Sequence, residues 1–111
     1  MTSKVVYQGG LRTTANHRQS GSEIITDAPV DNHGKGEAFS PTDLLATSLG
    51  CCMLTVMGIV ADRHSINMKG AATEIVKVMA SDPRRVSEIH VKLIFPKGFT
   101  TDEKDRKLLE H

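Results

Sequence analysis

The chain has 111 residues, enough for one domain and too few for two. Its 14 Lys and Arg balance 13 Asp and Glu, and its aromatic residues are one Tyr and three Phe, with no Trp. This composition supplies neither the basic footprint that nucleic acid or an anionic membrane requires nor a platform for stacking bases.

The opening residues Met1 to Tyr7 contain no apolar h-region, so no signal peptide is read there. Lys4 to Tyr7, continuing to about Thr14, is rich in β-branched residues and is predicted to be a strand. Asn16 to Gly21 is polar and turn-prone, and Glu23 to Thr26 reads as the returning strand of a hairpin. Asp31 to Gly36 is a loop by composition.

A helix start follows. Ser40 is placed to cap it, Pro41 occupies the first helical position, and Asp43 falls three residues after the cap. No charged residue occurs from Leu44 to Ala61, and the helix is predicted from Pro41 to His64, about 36 Å at 1.5 Å per residue. The uncharged run reaches the lower length limit of a membrane span. Thr47, Ser48, Gly50, Thr55 and Gly58 dilute it, and the neighbouring strands need a core. The reading adopted is therefore a buried central helix, covered on one side by sheet and on another by a partner subunit. A domain this small does not cover such a helix alone, so a homodimer is expected.

Beyond the helix, Thr73, Ile75, Lys77 and Met79 alternate with Glu74, Val76 and Val78. Ile89, Val91, Leu93 and Phe95 alternate with Glu88, His90, Lys92 and Ile94. With the turn at Ser81-Asp82-Pro83, these segments predict an antiparallel hairpin. A second helix is expected from Thr100 or Thr101, leaving His111 inside it. Strands, helix, strands, helix is an α+β order with antiparallel sheet.

The two cysteines, Cys51 and Cys52, are adjacent, a poor geometry for a mutual disulfide. With no disulfide framework, a cytoplasmic location is expected. Taken alone, Cys52 is more often an inert small hydrophobe on a helix than a nucleophile. Asp43 reads first as a capping-box carboxylate, and Arg12 and Arg18 as solvated hairpin charges. The five histidines do not fall at metal-ligand spacing, and neighbouring helix positions do not direct two thiols at one ion, so no metal and no cofactor is expected. Gly34-x-Gly36 lacks the strand-to-helix setting of a phosphate loop.

The run Ser40-Pro41-Thr42-Asp43-Leu44-Leu45-Ala46-Thr47-Ser48-Leu49-Gly50-Cys51-Cys52 resembles the central helix of the OsmC/Ohr family, the osmotically inducible and organic hydroperoxide resistance proteins. The early Tyr7-x-Gly9-x-Leu11 segment and the hairpin after a long apolar helix match as well. The likeness covers essentially the whole chain and sits nearest the OsmC-like branch. It implies one domain of antiparallel sheets wrapped around a long buried central helix, in an intertwined homodimer.

It also implies thiol-dependent reduction of organic hydroperoxides at the subunit interface. Counted from the proline, the family's reactive cysteine falls at Cys52, which leaves Cys51 to packing. The family's second, resolving cysteine is expected in a C-terminal part lying beyond His111, and a dithiol is expected as reductant. One position within the chain departs from the pattern. Thr42 stands where the family's peroxidases keep a glutamate, with Asp43 beside it, and the family's activating arginine corresponds to Arg12 or Arg18. Arg12 is favoured because it lies in a strand, and a carboxylate such as Asp43 is a candidate to hold its guanidinium by a bidentate pair. The expected catalytic set is therefore Cys52, Arg12 and Asp43. The competing expectation is a non-catalytic dimer whose interface cleft binds a small apolar ligand, with Cys52 unreactive.

Overall fold

A computed structural model describes residues 1–96, so the helix expected from Thr100 or Thr101 lies outside the described residues. The order of elements is β1 (Ser3–Gly9), β2 (Arg12–His17), β3 (Glu23–Asp27), a 3-10 turn at Val30–Asn32, α1 (Pro41–Arg63), β4 (Ala72–Ala80) and β5 (Arg85–Ile94). The architecture is α+β, with one antiparallel sheet of order β1-β2-β3, a second of order β4-β5, and one long helix. The chain divides into two compact units, Met1–Leu45 and Ala46–His111.

The first unit corrects one expectation. The stretch from Lys4 to Thr14 is two strands rather than one, because the chain turns at Gly9, Gly10 and Leu11, which have φ of 83°, 62° and 62°. Three consecutive left-handed residues are tolerable because two of them lack a Cβ. Tyr7 Oη steadies the turn by accepting from the Leu11 amide at 3.2 Å. The second hairpin is as expected, with β2 and β3 paired in register from Arg12↔Asp27 to Asn16↔Glu23. Thr13 and Thr26 join side chains across it at 2.5 Å. The loop after β3 folds back through Asp27 N to Phe39 O at 3.1 Å and Gly36 N to Ala28 O at 3.2 Å.

Ser40 then caps α1. The Asp43 amide donates to Ser40 Oγ at 3.0 Å, and the Ser40 amide donates to Asp43 Oδ2 at 3.1 Å, the reciprocal capping box that the sequence predicts.

In the second unit, β4 and β5 pair with Thr73↔Leu93, Ile75↔Val91, Lys77↔Ile89 and Met79↔Val86, the alternation read from the sequence. An irregularity between Val78 and Met79 leaves Ser87 unpaired, and its Oγ donates to Val78 O at 3.0 Å. The helix turns Gly50 onto this hairpin. A Cβ there would lie 2.6 Å from Thr73 Oγ1 and 2.7 Å from the Ile75 terminal methyl, so a side chain at this position would hold helix and strand apart. Further along, Met57 and Ala61 are buried against Ile66, Met68, Leu93 and Phe95.

Within the single chain α1 is covered on one side, by the β4–β5 hairpin, as the sequence leads one to expect of the sheet-facing side. Only Ala46, Gly50, Met57 and Ala61 are buried, a stripe with helical spacing. Leu49, Val56 and Ile59 stay 42%, 49% and 51% exposed. Because a two-stranded sheet is too narrow to cover more than one face of a helix, the opposite face is left open. By length and mean hydropathy, 2.1, α1 also meets the requirement for crossing a membrane.

Candidate active site

Each unit carries one part of the expected chemistry, Arg12 in the first and Cys52 in the second. Arg12 opens β2 and stands directly opposite Asp27, the last residue of β3. The register alone brings the two side chains together, and they form a two-point pair. Arg12 Nε donates to Asp27 Oδ1 at 2.7 Å, and Nη2 donates to Oδ2 at 2.8 Å. Nη2 also reaches Glu37 Oε2 at 3.1 Å.

The Asp27 carboxylate is 1% exposed and Arg12 is partly buried at 28%. A buried carboxylate would ordinarily hold its proton more tightly. Here the hydrogen bond from Arg12 outweighs desolvation and keeps Asp27 below its usual value, with help from the Glu37 amide and from the charge of Lys35. The same hydrogen bond to Asp27, with that to Glu37, raises Arg12 above its already high value, so the guanidinium is permanently charged.

A bidentate grip on Arg12 was expected, but Asp27 supplies it in place of Asp43. Asp43 faces its own helix start and completes the cap, because a side chain three residues inside a helix reaches back to the capping amide with little strain. Neither Asp27 nor Glu37 was picked out from the sequence. Asp27 was legible in principle. A β2–β3 hairpin that pairs Asn16 with Glu23 necessarily sets Arg12 opposite Asp27. Glu37 lies in an irregular loop with no such register. Arg18 is exposed in the β2–β3 turn, where its amide donates to Thr2 O at 3.0 Å.

Cys51 and Cys52 are both free and exposed. They nevertheless occupy different surroundings. Leu49, Cys52, Val56 and Ile59 recur at spacings of three and four residues, a seam with the 3.5-residue period of helices that pack on helices. Cys51 points about 100° away, along the polar strip of Ser48, Thr55 and Asp62, all exposed. Thr55 Oγ1 donates to Cys51 O at 2.8 Å. Among the described residues, no cluster of three or more His, Cys, Asp and Glu is placed to hold a metal ion.

Two antiparallel sheets and one long helix bearing a cysteine at mid-length define an OsmC-like α+β protein, and comparison with known proteins agrees. The model of the OsmC-like protein family matches residues 34–111. A crystal structure from Psychrobacter arcticus 273-4, named for osmotic stress induction and a detoxification response, is similar at 60% identity and a TM-score of 0.93, over 99% of this chain and 79% of that one. The chain belongs to the OsmC-like family.

Two more distant structures share the fold alone. An organic hydroperoxide resistance protein OsmC from Legionella pneumophila is 18% identical with a TM-score of 0.64, over 99% of this chain and 80% of its own. An OsmC-like protein of unknown function from Vibrio cholerae is 13% identical with a TM-score of 0.70, over 97% and 83%. No curated protein matches the sequence.

Proposed function

We propose that the protein is a thiol-dependent reductase of organic hydroperoxides with Cys52 as its peroxidatic residue, acting as a homodimer in oxidative stress defence. The observation that carries this reading is the setting of Cys52, a free, exposed thiol in the middle of an apolar helical seam. Family membership and the hydroperoxide-resistance name of the Legionella pneumophila relative support it.

The chemistry needs a thiolate, because a thiol is a poor nucleophile and an unassisted cysteine is only a few per cent ionised near neutrality. Cys52 lies about three turns from the start of α1, where the helix dipole has faded, so a side-chain cation must lower its proton affinity. Arg12 is that cation in this reading, since its charge is permanent and its head group is held. The thiolate sulfur bonds to one peroxide oxygen as the O–O bond breaks. The alkoxide leaves, takes up a proton and departs as the alcohol, while Cys52 becomes a sulfenic acid. A dithiol then reduces the sulfenic acid, releasing water and a disulfide and restoring the thiol.

A second copy of the chain covers the seam in this proposal. The 3.5-residue spacing suits a facing helix better than lipid, and Ser48, Thr55 and Asp62 run polar along its flank. The resulting interface cleft, with its apolar walls, suits an organic peroxide.

The test is turnover of cumene hydroperoxide with dithiothreitol by the parent, Cys52→Ser and Cys51→Ser. Cys52→Ser should fall to the uncatalysed rate, while Cys51→Ser should stay within about twofold of the parent, the usual range for an exposed substitution. Equal rates in all three would end the peroxidase reading, and slow alkylation of native Cys52 would then favour a non-catalytic dimer that binds a small apolar ligand.

A further inference from the structure

Cys51 and Cys52 are the two cysteines of the 111-residue sequence, and they are neighbours on α1. Both are free and exposed. Once a peroxide has oxidised Cys52, Cys51 is the nearest thiol along the chain, yet the helix keeps the two apart. Successive residues leave an α-helix about 100° apart and do not face one another. A disulfide needs its two Cβ atoms about 3.5–4.5 Å apart with the sulfurs turned toward each other. Meeting that requirement here means unwinding α1 in its middle.

Anchors on both sides of the pair oppose unwinding. Gly50, the residue before Cys51, is buried against the β4–β5 hairpin, so closely that a Cβ would lie 2.6 Å from Thr73 Oγ1. Four residues beyond Cys51, Thr55 Oγ1 donates to Cys51 O at 2.8 Å, a tie to the carbonyl in addition to those of the helix itself. Turning Cys51 toward Cys52 costs both contacts as well as the helical hydrogen bonds around them. A small molecule meets no such obstacle, because Cys52 is exposed and the strip of Ser48, Thr55 and Asp62 beside the seam gives it a polar approach.

We propose that oxidised Cys52 is resolved by a small thiol from outside the chain, through a mixed disulfide on Cys52, with Cys51 held out of the cycle by α1. The proposal rests on the reading of Cys52 as the peroxidatic residue and names the reductant of that same site. The external sulfur bonds to Cys52 Sγ as the S–O bond of the sulfenic acid breaks, and the oxygen leaves as water with the proton of the incoming thiol. A second thiol then attacks the small-molecule sulfur of the mixed disulfide. Cys52 returns as the thiol, and the two external sulfurs leave joined. One hydroperoxide and two thiol groups are consumed, and one alcohol, one water and one disulfide are formed. Two monothiol molecules therefore serve as well as the two ends of one dithiol.

The experiment treats the full chain, as parent, Cys51→Ser and Cys52→Ser, with one equivalent of cumene hydroperoxide and then with glutathione. Intact mass without reduction and peptide mapping follow. The parent and Cys51→Ser should each carry one glutathione, mapped to Cys52, and Cys52→Ser should carry none. With glutathione as sole reductant, peroxide turnover by Cys51→Ser should stay within about twofold of the parent.

A parent that loses two hydrogen atoms and takes up no glutathione, a species abolished by Cys51→Ser, overturns the proposal, because Cys51 has then closed the disulfide. A disulfide-linked pair of chains or a sulfinic acid in place of the adduct overturns it too, as does a larger loss of turnover in Cys51→Ser. In each of these cases Cys52 has been oxidised, so the peroxidase reading stands and only the resolving step fails. If peroxide leaves Cys52 as the free thiol, or if Cys52→Ser turns over peroxide like the parent, the peroxidase reading fails and the proposal falls with it.

Discussion

Asp27 combines near-complete burial with a full negative charge, a combination that is stable only because Arg12 and the Glu37 amide meet its oxygens. The pair makes folding sensitive to acid in a defined direction. The folded-state proton affinity of Asp27 lies below the ordinary value of 3.8, so the unfolded chain binds that proton more readily. Its contribution to stability is complete above the ordinary value and is lost as the pH falls through the lower folded value. The raised affinity of Arg12 adds no dependence in the working range, because its contribution fades only at very high pH. Urea midpoints taken between about pH 5 and pH 3 should therefore fall more steeply for the parent than for Asp27→Asn. Parallel slopes would show that Asp27 titrates normally in the folded protein.

The helix α1 has two interior glycines with different surroundings, and substitution should affect them in opposite directions. At Gly50 a new Cβ would crowd Thr73 Oγ1 and the Ile75 methyl, whereas at Gly58 it would meet nothing within 4 Å. Gly58→Ala should stabilise the protein by roughly 0.5–1 kcal/mol, because alanine loses less backbone entropy in a helix. Gly50→Val should destabilise it by about 1–3 kcal/mol through overpacking against β4. Thermal denaturation of both variants is the measurement, and a Gly50→Val protein as stable as the parent would contradict the close helix–strand approach. Cys52 lies two residues beyond Gly50, about 200° around the helix. The residue that docks the helix on the hairpin thereby points the thiol away from the sheet.

For the whole molecule, Leu49, Cys52, Val56 and Ile59 form an exposed apolar seam of the kind that marks interaction surfaces, and the proposed dimer would cover it. Val56→Glu puts a charge at the centre of the seam without touching the stripe that packs on β4 and β5. Sedimentation equilibrium should show a dimeric parent and a monomeric Val56→Glu, with peroxide turnover lost alongside assembly. A monomeric parent would remove the subunit-interface account of the seam.

Much of this architecture follows from local patterns. The start of α1 was legible in Ser40, Pro41 and Asp43 because capping is a contact between residues three apart. The β4–β5 faces were legible because pleating enforces alternation, and the family's helix motif is what singles out Cys52 as the candidate. The turn at Gly9-Gly10 was passed over because the β-branched residues on both sides outweigh a two-residue break. The partner of Arg12 was misplaced because Asp43 stands beside the family's glutamate position, whereas Asp27 is close to Arg12 only once two strands are in register.

The sequence by itself therefore determined the start and span of α1, the β4–β5 hairpin and the choice of candidate thiol, since each depends on interactions spanning a few residues. Only the tertiary structure decided which carboxylate holds the guanidinium and which face of the helix stays open. Those outcomes depend on strand register and on the width of the sheet that meets the helix, and both arise from contacts between residues far apart in the chain.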